Sequence, residues 1–148
     1  MAKRGDEKLF IDTNILIYLT NYQSDLIGQI SQDVWKLWEQ YQFCISGQVL
    51  REYLCVATRE ARNDYKDVLV DYFIYEEQFE VLDENRESRM LFKRIINNKK
   101  IHPRGKQVHD ANIVATMLAH GVTKLYTHNV SDFKRYLPLI QILEVGKI

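Results

Sequence analysis

Four acidic residues in this sequence lie where a strand ends or a helix begins: Asp12, Glu52, Asp110 and Asp132. Magnesium and manganese prefer carboxylate oxygens, and one or two such ions can clamp a phosphodiester and activate the attacking water. Carboxylates that are packed together also need a counter-ion, because their mutual repulsion otherwise raises their pKa values. If the fold brings these acids together, the chemistry they suit is metal-assisted hydrolysis.

Asp12 follows the apolar run at residues 9–11 and precedes Thr13, Asn14 and a second apolar run at 15–19. This pattern predicts a buried strand that runs directly into a helix. In open α/β sheets, ligands bind beyond the carboxyl ends of the strands, which is where Asp12 would lie. The ordinary alternative is that Asp12 or Thr13 only caps the helix, and the stretch alone leaves both interpretations open.

Glu52 lies between Val49 and Val56, each about one helical turn away, at the edge of an apolar helix face. A carboxylate there is costly unless it is paired or bound to a metal. The alternative is that Glu52 extends past Val56 into solvent, or pairs with Arg51 or Arg59.

Asp110 lies in the first turn of a helix predicted at 108–120, a position that the helix dipole favours for any acid. That helix is apolar on almost every side, so it should be buried, and its carboxylate should point into the interior or into a site. Asp132 lies in a polar loop after a predicted strand, where Asn129 or Ser131 could simply cap a short helix.

The elements that must position these acids alternate along the chain, which predicts an α/β fold with a mostly parallel sheet of about five short strands covered on both faces. The strands are predicted at 9–11, 43–46, 79–82, 124–127 and 139–143. The helices are predicted at 15–19, 24–41, 49–57, 64–77, 84–98, 108–120 and 131–136, with Ser24 or Asp25 starting the second.

The composition suits one domain that spans residues 1–148, since 46% hydrophobic residues suffice for a core. Cys44 and Cys55 both lie in apolar surroundings and are predicted to be buried free thiols. Residues 1–7 carry two acids ahead of any apolar run, and no run is long enough to span a membrane. We therefore expect a cytoplasmic protein without a membrane partner.

The formal net charge is zero, but the charges are segregated. Residues 60–87 hold ten acids and three bases, whereas residues 93–106 hold six bases and no acid. Each block is ordinarily a solvated helix face. The basic block gains a functional interpretation only if Arg104 and Lys106, in the loop before Asp110, border a site where they would neutralise phosphates.

Four segments carry the acids in order: FIDTN at 10–14, SGQVLREY at 46–53, HDANIVA at 109–115 and LYTHNVSDF at 125–133. Together they resemble the PIN domain family, within it the small VapC-type toxins. The resemblance implies a three-layer α/β/α fold and an endoribonuclease dependent on Mg²⁺ or Mn²⁺ that hydrolyses RNA phosphodiester bonds. It further implies a homodimer that is held inactive by a cognate antitoxin protein.

Carried over by position, the resemblance makes Asp12, Glu52, Asp110 and Asp132 the catalytic, metal-binding acids. Asp12 and Asp110 would be the principal ligands, and Glu52 and Asp132 would complete the site. Thr127 and Asn129 match flanking polar residues that would help to bind substrate, together with Arg104 and Lys106. His109 and His128 are expected to be structural or surface residues.

Two alternatives remain open. The first is a catalytically inactive PIN-like module that binds RNA or a protein. All four acids are intact, which argues against this alternative, because the loss of one would be the sign of an inactive site. The second is a phosphotransfer domain with Asp12 as covalent acceptor. Such domains place a second Asp two residues later, where this chain has Asn14.

Overall fold

The computed structural model describes residues 5–20, 24–60 and 63–148. The N-terminal residues 1–4, which formed part of the case against a targeting segment, lie outside these ranges. In order, the elements are β1 (Lys8–Ile11), α1 (Thr13–Thr20), α2 (Ile27–Gln40), β2 (Gln42–Ser46), α3 (Gly47–Arg59), α4 (Tyr65–Gln78), β3 (Glu80–Leu82), α5 (Arg86–Asn97), α6 (Gln107–Ala119), β4 (Lys124–Thr127), α7 (Val130–Phe133), a 3₁₀ helix (Lys134–Tyr136) and β5 (Gln141–Glu144).

The five strands form one sheet in the order β3-β2-β1-β4-β5, and every neighbouring pair is parallel. Phe10 at the centre pairs with Cys44 on one side and with Leu125 on the other. The central strands are buried at successive positions, so both faces of the sheet are covered. The predicted α/β fold is confirmed.

The helices form two packed groups. Helix α1 packs on α2 and α3, and α3 packs on α4, whereas α5 packs on α6 and α6 packs on α7. The chain moves from β1 out to β3 and then returns to β4 and β5, so right-handed crossovers place the two groups on opposite faces of the sheet. The result is the three-layer α/β/α arrangement. No helix in the described ranges combines the length and apolarity needed to cross a bilayer.

Strands β1 and β4 lie side by side and parallel, although they are far apart in sequence. The order in which strands are added to the sheet reverses between them, since β2 and β3 lie on one side of β1 and β4 and β5 on the other. Loops leave these two strands in opposite directions at their carboxyl ends, and this divergence opens a crevice there. Asp12 follows β1 directly, and its backbone N–H donates to the carbonyl of Tyr126 in β4 at 3.1 Å. The topology thus places Asp12 at the switch point of the sheet.

Several predicted details were wrong. Helix α2 begins at Ile27, because the Ser24 hydroxyl accepts from the N–H of Leu26 in a turn ahead of the helix. The last strand is displaced to Gln141–Glu144, since Leu139 and Ile140 donate their N–H groups to Tyr136 in a turn. Both cysteines are free, but only Cys44 is buried. Cys55 lies on the exposed side of α3.

Candidate active site at the carboxyl edge of the sheet

Asp12 is 6% exposed and is held by three donors. Its Oδ1 accepts from the N–H of Thr13 at 2.8 Å, and its Oδ2 accepts from Asn14 Nδ2 at 2.8 Å and Thr127 Oγ1 at 2.7 Å. Burial nevertheless raises the pKa of Asp12 to about 6, although these hydrogen bonds lower it. A buried carboxylate in a fixed orientation, with too little compensation for its charge, suits a cation.

Glu52 in α3 is half-buried and faces Asp12 through Thr13. The Thr13 hydroxyl donates to Glu52 Oε2 at 2.8 Å, and Gln48 Nε2, one turn earlier in α3, donates to Oε1 at 2.8 Å. Neither Arg51 nor Arg59 forms an ion pair with Glu52 in the described chain, so the surface-pairing alternative is wrong. Helix α3 starts at Gly47 because the hydroxyl of Ser46, its N-cap residue, accepts from the N–H of Val49.

Asp110 lies in the first turn of α6, half-buried, and the remaining acids act on it. The pKa of Asp110 is raised to about 7, first by burial and then by the charges of Asp12, Asp132 and Glu52, in that order. The guanidinium of Arg135 acts in the opposite direction. The other three predicted acids therefore lie near enough to Asp110 to repel its negative charge.

Asp132 is exposed in the first turn of α7. Asn129 occupies the N-cap position of α7 but makes no side-chain capping bond, and its own N–H donates to Thr127 Oγ1 at 3.0 Å. The loop after β4 thus presents Asp132 toward the same edge of the sheet as Asp12 and Asp110.

The donor set fits a hard divalent cation. Every candidate ligand is a carboxylate, and two of them have pKa values raised by burial and by the charges of neighbouring acids, a cost that a cation would remove. Among the described residues, no three acidic, histidine or cysteine side chains approach closely enough to form a complete ligand cage. Such a spacing is compatible with Mg²⁺ or Mn²⁺, which typically retain several waters in protein sites.

The PIN domain model matches residues 9–136, most of the chain. This chain belongs to the PIN domain family. No curated protein sequence matches it.

This PIN domain shares its fold with solved toxin–antitoxin structures. The Rickettsia felis VapBC2 structure, bound to a promoter DNA fragment, matches with a TM-score of 0.73 and 19% identity over 94% of this chain and 99% of that one. VapBC-1 of nontypeable Haemophilus influenzae matches with a TM-score of 0.70 and 24% identity over 93% of this chain and 97% of that one. VapC20 of Mycobacterium tuberculosis, described as a sarcin-ricin loop cleaving toxin, matches with a TM-score of 0.66 and 15% identity over 90% of this chain and 96% of that one.

The PIN domain places the four predicted substrate-binding residues differently from one another. Thr127 is 0% exposed and its hydroxyl bonds Asp12, so it acts on the site through that carboxylate. Asn129 is exposed beside it. Arg104 and Lys106 are exposed in the turn that leads into α6, where Arg104 lies 3.4 Å from the ring of His102. The four therefore comprise one supporting residue and three accessible ones.

Four further residues organise the site of this PIN domain, and the sequence interpretation assigned them no role there. Thr13 and Asn14 bond the acids directly, and the amides of buried Gln48 and half-buried Asn112 pair between α3 and α6. Their positions carried a signal. Gln48 and Asn112 are polar residues on the inner faces of apolar helices, one turn before Glu52 and two residues after Asp110.

Proposed function

We propose that this PIN domain is a Mg²⁺- or Mn²⁺-dependent endoribonuclease that acts in the cytoplasm as the toxin of a toxin–antitoxin pair. The observation that carries the proposal is the convergence of Asp12, Glu52 and Asp132 on Asp110, with the pKa values of Asp12 and Asp110 raised to about 6 and about 7. PIN domains are generally nucleases, and VapC20, which shares the fold, is described as cleaving an RNA loop.

Asp12 and Asp110 would hold the cation as principal ligands, with Glu52 and Asp132 completing the site. The cation supplies charge neutralisation at the phosphodiester and an attacking water of lowered pKa. Thr127, Asn14 and the N–H of Thr13 keep the Asp12 carboxylate in one orientation. Preorganised carboxylates need no rearrangement when the substrate arrives, and this lowers the barrier.

The RNA chain would meet the exposed polar and basic groups beside these acids. Arg104 and Lys106 lie in the turn that leads to Asp110, and Asn129 lies in the loop that carries Asp132. Cationic side chains there would neutralise the phosphates that flank the cut, which the acidic centre would otherwise repel.

An antitoxin and a second copy of the chain are the proposed protein partners. Two of the structures that share the fold are VapBC toxin–antitoxin assemblies. Helix α4 also exposes Val70, Phe73 and Ile74 on its surface. Apolar side chains grouped in this way favour a surface that a protein partner covers.

The test is cleavage of mixed cellular RNA by the purified protein in Mn²⁺, in Mg²⁺ and in EDTA. Asp12→Asn removes a charged ligand at nearly constant shape, so we expect cleavage to fall by at least about 100-fold. Asp25→Asn, an equal charge change at an exposed position ahead of α2, should cleave as the wild type does.

Folding of both variants is checked by circular dichroism. If the wild type cleaves no RNA with either metal, yet binds RNA as tightly as Asp12→Asn does, the nuclease proposal is wrong. The inactive binding module is then the better account of this protein.

A further inference from the structure

A pocket of about 320 Å³ opens beside the acid cluster and shares Glu52 with it. Its remaining lining comes from the first two turns of α3 and of α6 and from the loop before α5, namely Gln48, Arg51, Glu84, His109 and Asn112. A nucleobase fits in a pocket of this volume. Because the pocket adjoins the acids, a base within it would belong to a nucleotide next to the scissile phosphate.

The orientation of the Gln48 amide follows from its partners. Its Nε2 donates to Glu52 Oε1 at 2.8 Å and to the carbonyl of His109 at 3.0 Å, and a backbone carbonyl can only accept. Its Oε1 must then face Asn112, whose Nδ2 donates to it at 2.7 Å. Both N–H groups of Gln48 are therefore already used within the protein.

The Asn112 amide is used in the same way. Its second N–H donates to Glu84 Oε1 at 2.8 Å, so neither of its donors remains for a ligand. No described residue donates to Asn112 Oδ1, and Asn112 is the only described residue that donates to the Glu84 carboxylate. What Asn112 and Glu84 can offer to a ligand in this pocket is acceptors alone.

A wall of acceptors selects among the bases. The Watson–Crick edge of guanine presents two adjacent donors, N1–H and the N2 amino group. Adenine and cytosine present one amino group beside an acceptor, and uracil presents one N–H between two acceptors. Guanine is the base whose edge satisfies two neighbouring acceptors at once.

Arg51 supplies donors on another side of the pocket. Its Nη1 lies 3.4 Å from the place that a Cβ on Gly47 would occupy, so the guanidinium lies across the start of α3. Arg51 is exposed and forms no ion pair within the described chain. A guanidinium is the group that pairs with guanine O6 and N7 or with a flanking phosphate.

We propose that the pocket formed by Arg51, Glu84 and Asn112 binds a guanine base of the RNA strand beside the cut. The inference rests on the proposed nuclease function. Glu84 and Asn112 accept the two donors of the guanine edge, and Arg51 donates to its acceptors or to the adjoining phosphate. The pocket is thus a specificity site, separate in its role from the acids that carry the chemistry.

The first experiment is sequencing of the ends produced when the protein cuts a random RNA pool in Mn²⁺. We expect guanine to be enriched over adenine at one position flanking the cut by about tenfold or more, as for a base read by two hydrogen bonds. Glu84→Gln replaces one of the two acceptor oxygens by an NH₂ donor, while the other oxygen is engaged by Asn112, and it should abolish the enrichment. Glu87→Gln, the same change in the first turn of α5 and outside the pocket lining, should retain it.

The second experiment needs neither cleavage nor metal. With EDTA present, 5′-GMP should shift the Asn112 side-chain amide resonances in nitrogen-15 spectra more than 5′-AMP, and Glu84→Gln should remove the difference. This arm tests a free guanine nucleotide, and the sequencing arm tests guanine within RNA.

The outcomes separate the two proposals. If the protein cleaves RNA without a guanine preference, or if the preference is unchanged in Glu84→Gln, the guanine pocket is wrong and the nuclease proposal stands. No cleavage with a selective GMP response overturns the nuclease and supports a guanine pocket that binds the free nucleotide. Equal responses to GMP and AMP count against the pocket in either case.

Discussion

Asp110 and Asp12 have pKa values of about 7 and about 6, far above the ordinary 3.8, because they are buried and near other acids. Between about pH 4 and pH 7 the folded protein therefore binds protons that the unfolded chain releases. The free energy of unfolding must then fall as the pH rises through this range when divalent cations are absent. For Asp12, which is 6% exposed, the rise of the pKa from 3.8 to about 6 corresponds to a loss of about 3 kcal/mol in the free energy of unfolding across this pH range.

We predict that Asp110→Asn becomes progressively more stable than the wild type as the pH is raised from 4.5 to 8 in EDTA. Urea unfolding across that range measures the difference. Mn²⁺ should reverse it at pH 8, because an ion that binds only the folded state stabilises that state. A stability difference that stays constant with pH would show that Asp110 does not titrate in this range.

Helices α3 and α6 each bring an acid to the site, and the buried Gln48 amide joins them through Glu52 and the carbonyl of His109. Gln48 is 8% exposed, so it makes these hydrogen bonds inside the protein. Loss of this amide would remove one hydrogen bond from the carbonyl of His109 and one from Asn112 Nδ2, and it would free Glu52 to move.

We predict that Gln48→Met, which keeps the side-chain length, lowers the free energy of unfolding by about 2 kcal/mol. The Mn²⁺ concentration for half-maximal cleavage should increase several-fold, and cleavage at saturating Mn²⁺ should change much less. Gln78→Met, at the exposed end of α4, is the matched control. If the Mn²⁺ requirement of Gln48→Met stays that of the wild type, the amide contributes only to packing.

Asp33 ties together parts of the molecule that are distant in sequence. It lies in α2, is 1% exposed, and accepts from Tyr126 Oη at 2.9 Å, from the N–H of Gly146 at 2.7 Å and from Gln29 Nε2 at 3.0 Å. Gly146 has φ of 82°, a conformation that disfavours other residues. The carboxylate thus anchors the C-terminal segment beyond β5 against α2 and β4.

We predict that Asp33→Ala lowers the free energy of unfolding by about 3 kcal/mol, because it leaves the buried Tyr126 hydroxyl without an acceptor and removes the bond that holds the N–H of Gly146. Tyr126→Phe removes one donor and retains the acceptor, so its cost should be smaller. Urea unfolding of both variants checks this order. Equal costs for the two would mean that the bond to Gly146 contributes nothing.

Local patterns determined much of what was predicted correctly. Alternation of apolar runs with amphipathic segments was enough for five strands and the α/β class, since a strand covered on both faces is a short apolar run and a helix covered on one face has apolar residues with a period of about 3.6. Asp12 was placed at a strand end because an apolar run stops there and a helix starts. The ends of α2 and β5 were misplaced, because Ser24 and Tyr136 form turns whose bonds the apolar pattern does not contain.

Only the tertiary structure decided which polar groups meet. Thr127 and Asp12 are more than a hundred residues apart in sequence, and their contact exists because β1 and β4 are neighbours at the switch point of the sheet. Gln48 and Asn112 likewise pair because α3 and α6 both start at that edge. The sequence alone establishes which four acids are available and that each lies near the end of a strand or the start of a helix. Their raised pKa values, and the acceptor-lined pocket beside them, arise from packing, because burial and proximity are properties of the folded chain.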